Sequence, residues 1–115
     1  MPPLPLSLGL GTSGLDDPES CAETVRTALN AGYRHIDTAQ MYGNEVAVGE
    51  GLRASDVDRD EVVIATKIHY DNLSPEAVRE TAHESLDRLG LDRVDLLYVH
   101  WPMGAYDPER TLPAF

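Results

Sequence analysis

The chain has one cysteine, Cys21, one tryptophan, one phenylalanine and a single lysine, Lys67. A lone cysteine excludes an internal disulfide and leaves a cysteine-based metal centre short of ligands. His35, His69 and His83 show no metal-ligand spacing and are read as structural. No apolar run approaches the roughly 18 residues needed to span a bilayer. The opening Met-Pro-Pro-Leu-Pro-Leu lacks the basic region and long apolar run of a secretory leader. A cytoplasmic protein is the expectation. There is also no low-complexity run and no internal repeat.

Positive charge is scarce. Twenty acidic residues against nine basic ones give a net charge of −11, which repels nucleic acid and anionic membranes. Apart from Lys67, the basic residues are all arginine. Such an acidic, lysine-poor surface suits a high-salt cytoplasm, where ions screen the self-repulsion. An acidic protein from a GC-rich genome is the plainer alternative. At 115 residues, 42% hydrophobic and 25% charged, the chain forms one domain at most, small for an α/β enzyme.

What is present is an alternation of strand and helix signals. A short apolar segment, Leu6 to Leu10, leads into Gly9-Leu-Gly-Thr-Ser-Gly14. Asp17 as cap and Pro18 at the first position start a helix running to Ala31, with Cys21, Val25, Ala28 and Leu29 on its apolar face and Gly32 as its stop. Tyr33 to Ile36 reads as a short strand ending at Asp37. Asn44 caps a second helix to Ala54, whose Gly49 and Gly51 indicate tight packing against a neighbour. Val62-Val-Ile-Ala-Thr66 is a β-branched run of the kind buried on both faces, and it ends in Lys67. Ser74-Pro75 opens a third helix with Val78, Ala82, Leu86 and Leu89 inward and Gly90 as its stop. Val94 to Val99 is a fourth strand, running into His100-Trp101-Pro102. The tail from Met103 to Phe115 reads as loop and then the first turn of a helix.

Alternation of this kind implies parallel strands joined by right-handed crossovers, with every strand end on one face. Asp37, Lys67 and His100, spaced 30 and 33 residues apart, fall at such ends, and Tyr42 follows Asp37 in the next loop. Gly9, Gly11 and Gly14 also spell the dinucleotide-binding pattern, with Asp37 at a superficially suitable distance. The context opposes that reading. Leu15-Asp16-Asp17-Pro18 separates the turn from its helix, and two carboxylates beside a phosphate site would repel it. The glycines are therefore read as a strand-to-helix turn approaching a ligand closely.

Taken singly, Asp37 reads as a turn residue, Tyr42 as a half-buried aromatic, Lys67 as a snorkelling surface lysine and His100 as a core histidine. Taken together they form an acid relay. A cation beside a phenol stabilises the phenolate left when the proton departs, and a carboxylate keeps that cation charged in an apolar site. A histidine on the next strand can hold a substrate oxygen. The set suits protonation of a carbonyl as it becomes an alkoxide, with hydride supplied by a nicotinamide cofactor because no side chain can provide it.

The stretch Gly-Tyr-Arg-His-Ile-Asp-Thr-Ala from Gly32, with Glu45-Val-Ala-Val-Gly49 after it, resembles the N-terminal signature of the aldo-keto reductases. Val63-Ile-Ala-Thr-Lys67 and Leu89 through Pro102 match two further blocks of that family, and Gly9-Leu-Gly-Thr12 matches the end of its first strand. The resemblance implies an α/β fold of the (β/α)8 TIM-barrel type with about the first four βα units present. It makes residues 1–115 the N-terminal half of the barrel, prokaryotic or haloarchaeal-like in character. The implied activity is NADPH-dependent reduction of an aldehyde or ketone. Tyr42 is then the proton donor, Lys67 the cation that eases proton release, Asp37 its support, and His100 the residue that orients the carbonyl. Gly11 and Thr12, with Asp37, would line the nicotinamide side, and Trp101 the substrate side. Small keto sugars and reactive aldehydes are the implied substrates. The family's later blocks, which hold the nicotinamide amide and the 2′-phosphate, have no counterpart in the sequence. The implied partner is then a second copy or a complementary half-barrel; the alternative is a truncated, catalytically silent half-barrel that cannot bind NADPH alone.

Overall fold

The computed structural model describes residues 3–115; Met1 and Pro2, the start of the stretch read against a leader, lie outside them. Four strands form one parallel sheet in the order β1 (Leu10–Gly11), β2 (His35–Asp37), β3 (Val63–Ile68) and β4 (Leu96–Val99). Helices α1 (Pro18–Asn30), α2 (Glu45–Ala54) and α3 (Pro75–Leu89) make the crossovers, and a single turn, α4 (Pro108–Thr111), follows β4. Sequential parallel strands lying side by side are four successive βα units of a TIM-type barrel.

The helix boundaries follow from local chemistry. The Asp17 carboxylate accepts the Ser20 N–H at 2.9 Å, and the same bond pulls this carboxyl below its ordinary value. The Ser74 hydroxyl accepts from the Ala77 N–H at 3.3 Å, and Gly90 closes α3 in the left-handed conformation at φ 70°. The α1 face is buried as its spacing predicts, through Cys21, Val25, Ala28 and Leu29. On α3, Val78 and Leu89 are buried, but Ser85 takes the third inward place while Ala82 and Leu86 are only partly covered.

Strands β2, β3 and β4 begin one or two residues later than the sequence indicates. Asp37 ends β2 as expected, and Lys67 is the penultimate residue of β3, so both belong to the ladder. β4 begins at Leu96, two residues late. The Asp95 carboxylate explains the delay: it accepts the Ile64 N–H at 2.7 Å and the Arg59 guanidinium at 2.8 Å, while the Asp95 N–H donates to the Ile64 carbonyl at 2.8 Å. A side chain replaces the ladder partner there.

The sheet has two unlike faces. Pairing places Leu10 with Ile36 and Ile36 with Ile64, and this face meets the helices in a core that includes Val25, Leu29, Val48, Leu52 and Leu89. The other face carries Gly11, Asp37, Ala65 and Leu96 in register, then Lys67 beside Tyr98. Leu96 and Tyr98 are exposed on it, and β1 and β4 are unpaired edges among the described residues.

Gly49 and Gly51 are the contact points inferred for α2. A Cβ on Gly49 would strike the Leu89 backbone oxygen and lie 2.7 Å from its carbonyl carbon; one on Gly51 would lie 2.5 Å from the Ala22 oxygen. Neither obstacle is a side chain that can swing away. Gly49→Ala is expected to lower stability by about 3 kcal/mol, at the upper end of ordinary overpacking. Urea unfolding would show it. Gly11→Ala, where a Cβ meets nothing within 4 Å, serves as the neutral control.

Candidate active site

At the C-terminal ends of β2 and β3 the ladder places Asp37 and Lys67 on the same face. Lys67 Nζ donates to Asp37 Oδ2 at 2.9 Å, to the Thr38 carbonyl at 3.0 Å and to Tyr42 Oη at 3.3 Å. An ammonium has three protons, and all three are taken. Because the Tyr42 oxygen is the acceptor in that bond, the phenol's own proton is left to point elsewhere. Tyr42 ends a short 3-10 turn, Gln40–Tyr42, and Gly43 follows it at φ 68°. That left-handed residue returns the chain toward α2 and leaves the phenol ring over the ammonium, 5.0 Å from nitrogen to ring centre.

His100 comes directly after β4, where its N–H donates to the Ile68 carbonyl at 3.2 Å. Its ring meets Tyr42 edge to face at 5.6 Å, and Trp101 stacks on it at 5.8 Å. Asp37, Tyr42, Lys67 and His100 therefore converge from three strand ends and one loop. Gly9, Gly11, His35, Asp37, Lys67, Tyr98, Val99 and His100 line an open hollow of about 510 Å³ on this sheet face. Its size falls within the ~300–1,000 Å³ of small-molecule sites.

Three residues are placed outside that lining. Tyr42 reaches the hollow through Lys67 and His100, which it touches. Trp101 is 53% exposed beyond His100. Thr12 is fully buried, and both its N–H and its hydroxyl donate to the Asp37 carbonyl at 3.1 Å. Its side chain is thus turned to the backbone at the end of β2 and not into the hollow. Gly11, by contrast, lines the hollow directly. Of the three remaining histidines, two hold backbone: His35 Nδ1 lies 2.9 Å from the Leu6 carbonyl, and His69 Nδ1 accepts the Asp71 N–H at 3.0 Å.

Burial lowers the His100 imidazole below its usual value, the Lys67 ammonium and His69 push the same way, and Asp37 opposes them. Nδ1 of this ring is buried without a hydrogen-bond partner among the described residues. The unfolded chain takes up this proton below about pH 6.5, whereas the folded chain takes it up only at lower pH. Stability is thus full above that value, falls as pH drops through the interval, and levels off below the folded value. Urea midpoints at pH 7.5 and 5.5 are expected to differ, with a smaller difference in His100→Gln.

Such a carboxylate, ammonium, phenol and imidazole at the tops of adjacent βα units accompany a family match over nearly the whole sequence. The "Aldo/keto reductase family" profile matches residues 5–115. The chain belongs to this family. It is 48% identical over 96 residues to the methylglyoxal reductase DkgB of Salmonella typhi, an alignment covering 84% of this chain and 36% of that protein. Its fold matches an aldo-keto reductase enzyme from a Medee basin deep-sea metagenome library with a TM-score of 0.88 at 38% identity, covering 97% of this chain and 40% of the other. A Bombyx mori aldo-keto reductase in complex with NADP matches at 0.79 and 34% identity, covering 94% and 38%. The chain spans about a third of the length of the curated relatives it matches.

In this aldo/keto reductase chain, several polar residues beside the tetrad escaped the sequence reading. Glu45 was noted only as a motif letter, yet it is 2% exposed and accepts from Thr66 Oγ1 at 2.7 Å, Arg88 Nε at 2.8 Å and Ser85 Oγ at 3.3 Å. Its spacing to Val48 and Leu52 put it on the apolar stripe of α2, and that was the available signal. Gln40 ties the Tyr42 turn to its neighbours: its amide donates to the Thr81 carbonyl and Ser85, and its oxygen accepts from the His69 N–H and Asn72. Asn44 corrects an expectation. It stands at the N-cap position of α2 but makes no capping bond with its side chain. The side chain instead spans the loops after β1 and β2, where its amide donates to the Thr12 and Leu15 carbonyls and its oxygen accepts from the Thr38 hydroxyl, so its polar atoms are already engaged.

Proposed function

We propose that this chain is the N-terminal part of an NADPH-dependent aldehyde or ketone reductase, with Tyr42 as the proton donor. One observation carries the reading: a single ammonium, Lys67, binds the carboxylate of Asp37 and the phenol oxygen of Tyr42 together, at 2.9 and 3.3 Å. A cation held so can stabilise the phenolate as Tyr42 gives its proton to a developing alkoxide. Asp37 keeps the site from carrying an uncompensated charge. His100, kept neutral at pH 7, offers one donor and one acceptor to orient the carbonyl without adding charge. A nicotinamide cofactor, when bound, supplies the hydride.

The residues present fit one end of that cofactor. Gly11 leaves open space where a side chain would stand, so a flat ring can approach the sheet there. Among the lining residues Lys67 is the cation, and its protons are engaged, so nothing in the hollow suits a 2′-phosphate. The alternative of a silent half-barrel draws on this point and on the open sheet face. Completion by a complementary half-barrel or a second copy is the corresponding proposal for partners. The relative acting on methylglyoxal favours a small reactive aldehyde as substrate, and Trp101 beside His100 is the proposed substrate-side wall. The charge of −11 fits work in concentrated salt, within the cytoplasm.

The test is NADPH binding and consumption by the 115-residue chain in molar salt, offered methylglyoxal and other small aldehydes. Aldehyde-dependent consumption supports the reading. A folded chain that neither binds nor consumes NADPH supports the silent half-barrel.

A further inference from the structure

Behind the tetrad runs a closed ring of contacts that none of its four members explains. Asn44 is buried to 6% exposure. Its amide nitrogen donates to the Thr12 carbonyl at 2.8 Å and to the Leu15 carbonyl at 3.3 Å, and its oxygen accepts from the Thr38 hydroxyl at 3.1 Å. Both amide protons are thereby used. Two of these partners, Thr12 and Thr38, lead back to Lys67. The Thr12 N–H and hydroxyl hold the Asp37 carbonyl, Asp37 holds Lys67 through its carboxylate, and Lys67 donates to the Thr38 carbonyl. Thr38 closes the ring on Asn44.

Two features make this more than packing. Two of the three acceptors of the Lys67 ammonium come from adjacent residues, Asp37 through its side chain and Thr38 through its backbone carbonyl, so a small shift of the backbone at 37–38 moves both. Asn44 also lies two residues after Tyr42, so the side chain that holds that backbone through Thr38 also anchors the segment carrying the phenol. A buried amide with every proton engaged has one low-energy orientation, and leaving any of its partners bare is costly.

We propose that Asn44 is the positioning residue of the tetrad: by clasping the loops after β1 and β2 it sets the distance between the Lys67 ammonium and the Tyr42 phenol. It touches neither substrate nor cofactor. The proposal rests on the reductase reading for its functional meaning, but its structural content stands on Lys67 alone.

Because Lys67 is the only lysine, its side-chain ammonium gives one unambiguous resonance in a 15N-labelled chain. In the wild-type chain that signal is expected to show slowed proton exchange and a nuclear Overhauser contact to the Tyr42 ring. Asn44→Ala, confirmed folded by its backbone amide spectrum, is expected to exchange at least about tenfold faster and to lose the contact. Thr38→Val and Thr38→Ser form a second pair: the first removes the hydroxyl that reaches Asn44 and should behave like Asn44→Ala, whereas the second keeps it and should behave like wild type. The Thr38 pair decides the matter if Asn44→Ala does not fold. An unchanged Lys67 signal in folded Asn44→Ala or in Thr38→Val overturns the proposal. Where the chain turns over aldehyde, Asn44→Ala should lower kcat about tenfold with KM within twofold. A loosened Lys67 in a chain that never consumes NADPH would keep the clasp and remove the reductase reading. Turnover with an undisturbed Lys67 would do the reverse.

Discussion

Tyr42→Phe is expected to lower aldehyde-dependent NADPH oxidation by about 10²–10⁴-fold, the usual contribution of a positioned general acid. The change removes one oxygen. Lys67 keeps its bonds to Asp37 and the Thr38 carbonyl at 2.9 and 3.0 Å, so the ammonium stays in place. The ring keeps its edge-to-face contact with His100 and its place over the ammonium. Nothing that shapes the hollow is removed, and NADPH affinity is expected to hold within about twofold. Loss of turnover with retained binding assigns the proton to Tyr42. Retained turnover would assign it elsewhere, with His100 the first alternative, since its imidazole lines the hollow. Measuring initial rates and binding on the same preparation separates the outcomes.

Glu45→Ala is expected to have a large effect on folding. Its carboxylate lies in the interior among Thr66, Ser85 and Arg88, with the Arg88 guanidinium 2.8 Å away. Removing one partner of a buried ion pair costs about 3–5 kcal/mol. Arg88 is 38% exposed and can turn partly to water, which favours the lower end, about 3 kcal/mol. Against a total stability of roughly 5–15 kcal/mol for a domain, that is a large share. The midpoint of thermal unfolding should fall by about 10 °C or more. Glu45→Gln keeps the shape and one acceptor, and about half the loss is expected. Equal losses in the two variants would mean that charge, not cavity, dominates.

Glu45 and Asn44 also show where sequence reading stops. Element order was legible because its signals are local: Asp17-Pro18, Ser74-Pro75, the β-branched run to Thr66 and the stops at Gly32 and Gly90 act through their own neighbours in the chain. Tight contact at Gly49 and Gly51 was legible too, since a glycine in a helix interior costs stability unless another backbone needs the space. The placement of Asp37, Lys67 and His100 at one end followed from parallel alternation alone.

The amino-acid sequence by itself thus determined the alternation of strand and helix, the parallel direction of the strands and the gathering of Asp37, Tyr42, Lys67 and His100 at one end. Tertiary structure decided which polar atoms those groups touch. It turned Thr12 to the backbone at the end of β2, drew Asn44 from its helix cap to two loops, and sank Glu45 beneath Arg88. The reason is physical. Periodicity and capping depend on residues three or four positions apart, whereas the partner of a buried polar side chain is whichever orphaned backbone or side-chain group long-range strand pairing brings within about 3 Å.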